Sequence, residues 1–157
     1  MNVAIISGSF DPITNGHMHI IKQASKTFNS VIVIIATNPN KKYEFSIEHR
    51  KQMVFDAILE YKLSNAAIEI LDDTELTVEF AESHHANILV RGIRNSSDLE
   101  YEQDLMMLNH DVEDMCNHQM QTYFVLAPKT LSSISSTMVR NLLNNKKTYQ
   151  LVSKYVP

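Results

Sequence analysis

The segment best suited to chemistry is residues 7–17, Ser-Gly-Ser-Phe-Asp-Pro-Ile-Thr-Asn-Gly-His. It joins an apolar run, Val3 to Ile6, to a helical pattern that begins at His17. A strand, a tight turn and the start of a helix are therefore predicted. Backbone N–H groups at such a turn, together with the positive end of the helix dipole, are suited to bind phosphate. The imidazole of His17 is expected in the first helical turn, beside the same phosphate.

The use of glycine supports a ligand at this junction. Junctions of this kind occur in any α/β protein, so the turn alone would indicate nothing. The chain has only three glycines, and two of them, Gly8 and Gly16, lie in this segment. Glycine is used where the backbone turns sharply or closely approaches a ligand. The glycines, the helix start and the histidine together favour a phosphate site.

Two pairs of cationic side chains also follow apolar runs. Lys41 and Lys42 follow the apolar run at 31–36. Two interpretations are equally supported: that one of these lysines binds phosphate, or that both are ordinary solvent-exposed surface lysines. Arg91 and Arg94 follow another apolar run, and arginine binds phosphate bidentately through its planar guanidinium. The alternative for the arginines is an ion pair with an acid of the following helix.

A further predicted helix start carries several hydroxyl groups. Ser135, Ser136 and Thr137 are consecutive, and an N-cap accounts for one of them. The remaining hydroxyls suit nucleotide phosphates. The sequence contains no Walker-type lysine loop, no zinc-ligand spacing and no nucleophile elbow.

Apolar runs alternate with helical patterns along the whole chain. Strands are predicted at 3–6, 31–36, 67–71, 87–90 and 123–127, and helices at 18–28, from 46 onward, 76–84, 97–112 and 135–144. This alternation predicts an α/β fold, a Rossmann-like, doubly wound parallel five-stranded sheet in a single domain, residues 1–157. Ligands of such sheets lie beyond the carboxyl ends of the strands, at the topological switch point. The phosphate-suited segments should therefore meet at one edge.

Bulk composition excludes several classes of function. A formal net charge of −4 argues against general affinity for nucleic acid or anionic membranes, so positive charge must be local. No apolar run is long enough to span a membrane, and no signal peptide is visible. The single cysteine, Cys116, allows no disulfide within the chain. These features predict a cytoplasmic protein with no nucleic-acid or membrane partner.

The assembled motifs resemble those of nucleotidyltransferases and, among these, the phosphopantetheine adenylyltransferase family. The matching segments are Gly8-Ser-Phe-Asp-Pro-Ile-Thr-Asn-Gly-His17, Asn38-Pro-Asn-Lys-Lys42, Arg91-Gly-Ile-Arg94 with Asp98-Leu-Glu-Tyr-Glu102, and Ile134-Ser-Ser-Thr137. Most related nucleotidyltransferases, including those acting on nicotinate mononucleotide, have His where this chain has Thr14. Thr14 and the segment from Arg91 to Glu102 therefore favour the phosphopantetheine family.

The resemblance implies an adenylyltransferase that moves AMP from ATP to 4′-phosphopantetheine, giving dephospho-coenzyme A and pyrophosphate. It also implies Mg²⁺ as cofactor, no metal-ligating residues, and a homohexamer. His17 is the implied catalytic residue, which stabilises the transition state. The implied substrate-binding residues are Ser9, Lys41, Thr77 and Arg91. The implied ATP-binding residues are Ser9, Phe10, His17, Gly92, Ile93, Arg94, Glu102, Leu131, Ser132, Ser133, Ile134, Ser135, Ser136 and Thr137.

Two positions depart from the family pattern. Ser9 replaces a usual threonine but keeps the hydroxyl, and Leu131 stands where relatives often have an aromatic residue. Two alternatives to the implied activity stay open. One is a related nucleotidyltransferase acting on another phosphate, such as nicotinate mononucleotide, and the other is a non-catalytic nucleotide-binding module.

Overall fold

The computed structural model describes residues 1–71 and 75–157. The strands are β1 (Val3–Gly8), β2 (Ser30–Ile35), β3 (Ala66–Ile70), β4 (Ile88–Ile93) and β5 (Gln121–Leu126). The α-helices are α1 (Asn15–Thr27), α2 (Ile47–Glu60), α3 (Thr77–Ser83), α4 (Ser96–Cys116) and α5 (Ser136–Leu143). A 3₁₀ helix (Tyr149–Lys154) follows α5, in a region where no element was predicted from the sequence.

The strands form one parallel sheet in the order β3-β2-β1-β4-β5. This arrangement confirms the predicted α/β, doubly wound fold. The chain moves outward from β1 to β3 and then returns to place β4 on the other side of β1. The topological switch point therefore lies between β1 and β4.

Apolar side chains of the strands form a core on each face of the sheet. On one face, Ala4 and Ile6 pack with buried residues of α1 and α2, such as Met18 and Val54. Ile5 belongs to the opposite core, which includes residues of α3. Successive strand residues point to opposite faces, so a sheet covered on both sides needs strands that are apolar throughout.

The structure corrects the predicted end of β4. The sequence indicated a strand that stops before Arg91, but Arg91, Gly92 and Ile93 continue it and pair with β5. In contrast, β1 pairs with β4 only at Ala4 and Ile5. β1 therefore stays with β2 as far as Gly8 while β4 stays with β5, and the two central strands separate at their carboxyl ends.

Helix α4 also differs from the prediction, because it continues beyond residue 112 to Cys116. It stops at Asn117, which adopts a left-handed conformation with φ of 50° and donates its N–H to the carbonyl of Glu113. Asn is among the residues that tolerate this conformation at a helix end. Within the described ranges, no helix is both long and apolar enough to cross a membrane.

Gly92 allows α1 to pack closely against β4, because it has no side chain at the point of contact. A Cβ atom at Gly92 would lie 2.1 Å from Cδ1 of Ile20. Gly92→Ala should therefore lower the free energy of unfolding by about 1 kcal/mol, the low end of the cost of overpacking, because the end of the Ile20 side chain must move aside. Gly16→Ala is the control, because its nearest atom would lie at an ordinary 3.5 Å. Equal denaturant midpoints for wild type and Gly92→Ala would contradict this packing.

Candidate active site

A cavity of about 390 Å³ lies where β1 and β4 separate. It contains most of the predicted site residues, which come from the ends of the strands and from the first turns of helices. Those lining it are Ser9, Phe10, His17, Lys41, Arg91, Gly92, Ile93, Arg94, Glu102, Ile134, Ser135, Ser136 and Thr137. The predicted meeting of phosphate-suited segments at one edge of the sheet is thus observed.

Four predicted residues lie outside the lining of this cavity. Thr77 begins α3. Leu131, Ser132 and Ser133 form the turn that precedes the cavity residue Ile134. The hydroxyl of Ser132 donates to the carbonyl of Lys129 at 3.0 Å, a local bond within that turn. Any contact of these residues with a substrate stays a prediction.

His17 is held by the first turn of its own helix. Thr14 is the N-cap of α1, and its Oγ1 accepts from the backbone N–H of His17 at 3.4 Å. In return, the backbone N–H of Thr14 donates to Nδ1 of His17 at 3.1 Å. This reciprocal pattern is a capping box with His in place of the usual Glu. Because Nδ1 accepts a hydrogen bond, the proton of a neutral imidazole must be on Nε2.

The environment keeps this imidazole neutral. Burial lowers the pKa of His17 from an ordinary 6.5 to about 4, and the positive charge of Arg94 acts in the same direction. The ring of Phe10 packs edge-on against it, with ring centroids 5.0 Å apart. At neutral pH, His17 is therefore an uncharged donor through Nε2–H in a cavity suited to phosphate.

Ser9 and Lys41 bring two loops together at the cavity. The loop after β1 carries Ser9 and the loop after β2 carries Lys41, and Nζ of Lys41 lies 3.5 Å from Oγ of Ser9. Lys41 lines the cavity whereas Lys42 does not, which separates two lysines that the sequence left equivalent. An ammonium and a hydroxyl this close can both contact one phosphate group.

Both arginines of β4 and its following turn have carboxylate partners. Nε of Arg91 donates to Glu102 at 2.6 Å, and Arg94 makes two bonds to Asp98, at 2.9 and 3.0 Å. The hydrogen bond from Arg94 holds the pKa of Asp98 below its usual value. The ion pairs considered as an alternative to phosphate binding are therefore present, yet both arginines also line the cavity. The pairs orient the guanidinium groups before any substrate arrives.

The hydroxyl groups at the start of α5 also have partners within the protein. Ser135 is the N-cap and accepts from the N–H of Met138 at 3.1 Å. Ser136 donates to the carbonyl of Pro12 at 2.8 Å, which joins α5 to the loop after β1. The N-terminus of α5 thus faces the same cavity as the N-terminus of α1, and both helix dipoles favour an anion there.

Arg140 lines the cavity but was not among the predicted site residues. Its guanidinium bonds to the backbone carbonyl of Asp11 and, at 3.0 Å, to Oγ1 of Thr137. The spacing from Thr137 to Arg140 could have revealed it, since residues three apart share a helix face.

Comparison with known proteins agrees with this geometry. The Cytidylyltransferase-like family matches residues 5–142. A phosphopantetheine adenylyltransferase of Actinobacillus pleuropneumoniae is 39% identical over 153 residues, which cover 98% of this chain and 90% of that protein. One from Chromobacterium violaceum is 33% identical over 157 residues, covering 100% and 92%. The chain belongs to the phosphopantetheine adenylyltransferase family.

Membership of the phosphopantetheine adenylyltransferase family confirms the resemblance carried by the motifs and the prediction of an adenylyltransferase. Among solved structures, the nicotinic acid mononucleotide adenylyltransferase of Plasmodium falciparum superimposes with a TM-score of 0.67 at 21% identity, covering 99% of this chain and 90% of that one. At this identity the likeness establishes the fold alone.

The capping box predicts how His17 titrates. NMR of imidazole-labelled protein should find His17 neutral at pH 7, protonated on Nε2, with a pKa of about 4. The unfolded chain takes up this proton near pH 6.5, so His17 should make the fold less stable as pH falls from 6.5 toward 4.

The variant His17→Gln assigns the imidazole signal of His17, because that signal should be missing from its spectrum. The loss of stability that His17 causes between pH 6.5 and 4 should also be absent from this variant. An Nδ1–H tautomer, or a His17 pKa at or above 6.5, would contradict the described geometry.

Proposed function

We propose that this protein transfers AMP from ATP to 4′-phosphopantetheine, giving dephospho-coenzyme A and pyrophosphate. The observation that carries the proposal is the neutral Nε2–H donor of His17 in one cavity with the cations Lys41, Arg91 and Arg94. Relatives named for this activity match nearly the whole chain. The cavity is also within the size range of small-molecule sites.

The reaction needs positioning and charge stabilisation more than proton transfer. An oxygen of the acceptor phosphate attacks the α-phosphorus of ATP, and the bond to the β-phosphate oxygen breaks in line, so pyrophosphate leaves with the bonding electrons. The attacking oxygen is already anionic, so no general base is required. Nε2–H of His17 donates to an α-phosphoryl oxygen as its charge grows, a role in which a fixed, uncharged donor is effective.

The arrangement of the charges suggests where each substrate lies. Lys41 and Ser9, 3.5 Å apart, hold the acceptor phosphate together with Arg91. Arg94 and the N-terminus of α5 hold the phosphates of ATP. The family resemblance adds two contacts outside the cavity. Thr77 contacts the pantetheine arm, and the turn from Leu131 to Ser133 contacts the part of the nucleotide that extends beyond the phosphates.

Magnesium enters this scheme bound to ATP rather than to a site of the protein. Among the described residues, no group of three or more His, Cys, Asp or Glu side chains is arranged to hold a metal. The carboxylates that line the cavity, Asp98 and Glu102, are hydrogen-bonded to arginines. Mg²⁺ commonly binds substrate phosphates and retains several waters, so the triphosphate supplies the ligands and the metal offsets its charge.

A homohexamer and a cytoplasmic location complete the proposal. Large apolar side chains are exposed on α4 and on the edge strand β5, including Met107, Leu108 and Leu126. An exposed apolar edge strand favours contact with another copy of the chain. The reaction consumes ATP, and a single half-buried cysteine is compatible with a reducing compartment.

Replacement of His17 tests the catalytic role. His17→Ala should lower kcat about 10²–10³-fold, because removal of one oxyanion donor costs about 3–4 kcal/mol. ATP binding should largely persist. His19→Ala is the matched control, because it lies on the same helix outside the cavity lining. Equal losses of kcat in the two variants would contradict the role of His17.

The choice of acceptor tests the reaction itself. Purified protein given MgATP should release pyrophosphate with 4′-phosphopantetheine and not with nicotinate mononucleotide. Release only with nicotinate mononucleotide would favour the alternative transferase. ATP binding without turnover of either acceptor would indicate a non-catalytic module.

The assembly can be tested separately. Light scattering should give six times the chain mass of 18.0 kDa. Leu126→Lys should shift the protein toward smaller species, because it places a charge on the proposed interface. Lys146→Leu is a control for surface changes outside α4 and β5. A wild-type monomer at micromolar concentration would overturn the hexamer.

A further inference from the structure

Arg50 is a buried cation next to the site but outside its cavity. It lies in the first turns of α2, and only 2% of the residue is exposed. Its guanidinium donates to the carbonyl oxygens of Ser9 and Ala36 at 2.7 and 3.1 Å, and to Oγ1 of Thr37 at 3.1 Å. Ser9 follows β1, whereas Ala36 and Thr37 follow β2. One side chain therefore binds the beginnings of both loops.

The flat face of the same guanidinium contacts the second loop further along. Cζ of Arg50 lies 4.1 Å from the ring centre of Tyr43, a distance typical of cation–π contact. The hydroxyl of Tyr43 in turn accepts the N–H of Asn38 at 2.7 Å. Lys41 lies between Asn38 and Tyr43, and its N–H donates to the carbonyl of Asn38. Arg50 therefore fixes the segment that carries Lys41 from both ends.

We propose that Arg50 is a positioning residue that sets the gap between Ser9 and Lys41 and so controls binding of the acceptor phosphate. The inference rests on the proposed function, which assigns those two side chains to that phosphate. Their 3.5 Å separation joins two loops far apart in sequence, and Arg50 bonds to the backbone of both.

The planar shape of the guanidinium matters to this role. Three acceptors are reached from its edge while its face covers an aromatic ring. A lysine ammonium keeps the charge but has neither the planar fork nor the flat face. If a buried positive charge in α2 were the only requirement, lysine would replace Arg50 without loss. The KM values for the two substrates would then not change relative to each other.

The test compares Arg50→Lys and Arg50→Met with wild type. KM for 4′-phosphopantetheine should rise about 10-fold or more, since small displacements of positioning groups have large effects. KM for MgATP should rise less, because Lys41 is assigned to the acceptor alone whereas Ser9 is shared by both substrates. Val54→Ala is the matched control. It removes buried volume one turn further along α2 and should lower the melting temperature without changing either KM.

Hydrogen exchange gives a readout that does not need turnover. In Arg50→Lys, amides from Asn38 to Tyr43 should exchange about 10-fold faster. Amides of Glu44 and Phe45, which donate to the carboxylate of Asp11, and amides of α5 should not change. If Arg50→Met does not fold, Arg50→Lys decides. Unchanged exchange in this segment, unchanged KM values, or equal increases for both substrates would overturn the proposal. If wild type does not use 4′-phosphopantetheine, the proposed function fails and exchange alone decides the role of Arg50.

Discussion

Separation of β1 from β4 is the constraint on which the rest of the site depends. The two strands pair only at Ala4 and Ile5 of β1, after which each continues with its outer neighbour. A parallel sheet cannot fill the resulting gap with backbone, so loops and helix N-termini surround it. α1 enters on one side with His17, and Gly92 lets this helix pack closely against β4. The strand order and the point at which β1 and β4 stop pairing therefore create the cavity, and the side chains determine its chemistry.

Within this gap, polar groups are oriented in advance. Arg91 and Arg94 are paired with carboxylates, and His17 is fixed by the backbone of Thr14. Such pairing reduces the repulsion between these cations, and it means that they need little reorganisation when a substrate binds. Fixed dipoles and donors in a cavity stabilise developing charge far better than mobile groups in water. A chain with a net charge of −4 thereby gathers cations and fixed donors in a cavity suited to anions.

Local sequence was sufficient to predict the element types and several element ends. The helix predicted from residue 46 onward has Ser46 as its N-cap, and Ser135 is the one N-cap expected among the hydroxyls at 135–137. The alternation of strands and helices predicted the parallel sheet. The motif at residues 8–17 predicted the loop after β1 and the helix start that carries His17. Thr14 was recognised only as a family marker, although its spacing from His17 fits a capping box.

Other features depend on contacts between distant residues and could not be derived from local patterns. The extension of β4 through Ile93 is set by its pairing with β5, and the strand separation by where pairing with β1 stops. Arg50 looked like an ordinary helix residue, because its partners lie 41 and 14 residues away at Ser9 and Ala36. A charged residue is seldom fully buried, so its sequence gave no sign of this role.

The central claim is that both phosphate-bearing substrates occupy one cavity and react directly. It is tested most directly by the stereochemical course at the α-phosphorus, using ATP made chiral there with sulfur and an oxygen isotope. A single in-line displacement predicts inversion of configuration in the dephospho-coenzyme A analogue. Retention would require two displacements through an adenylylated protein side chain and would contradict the account.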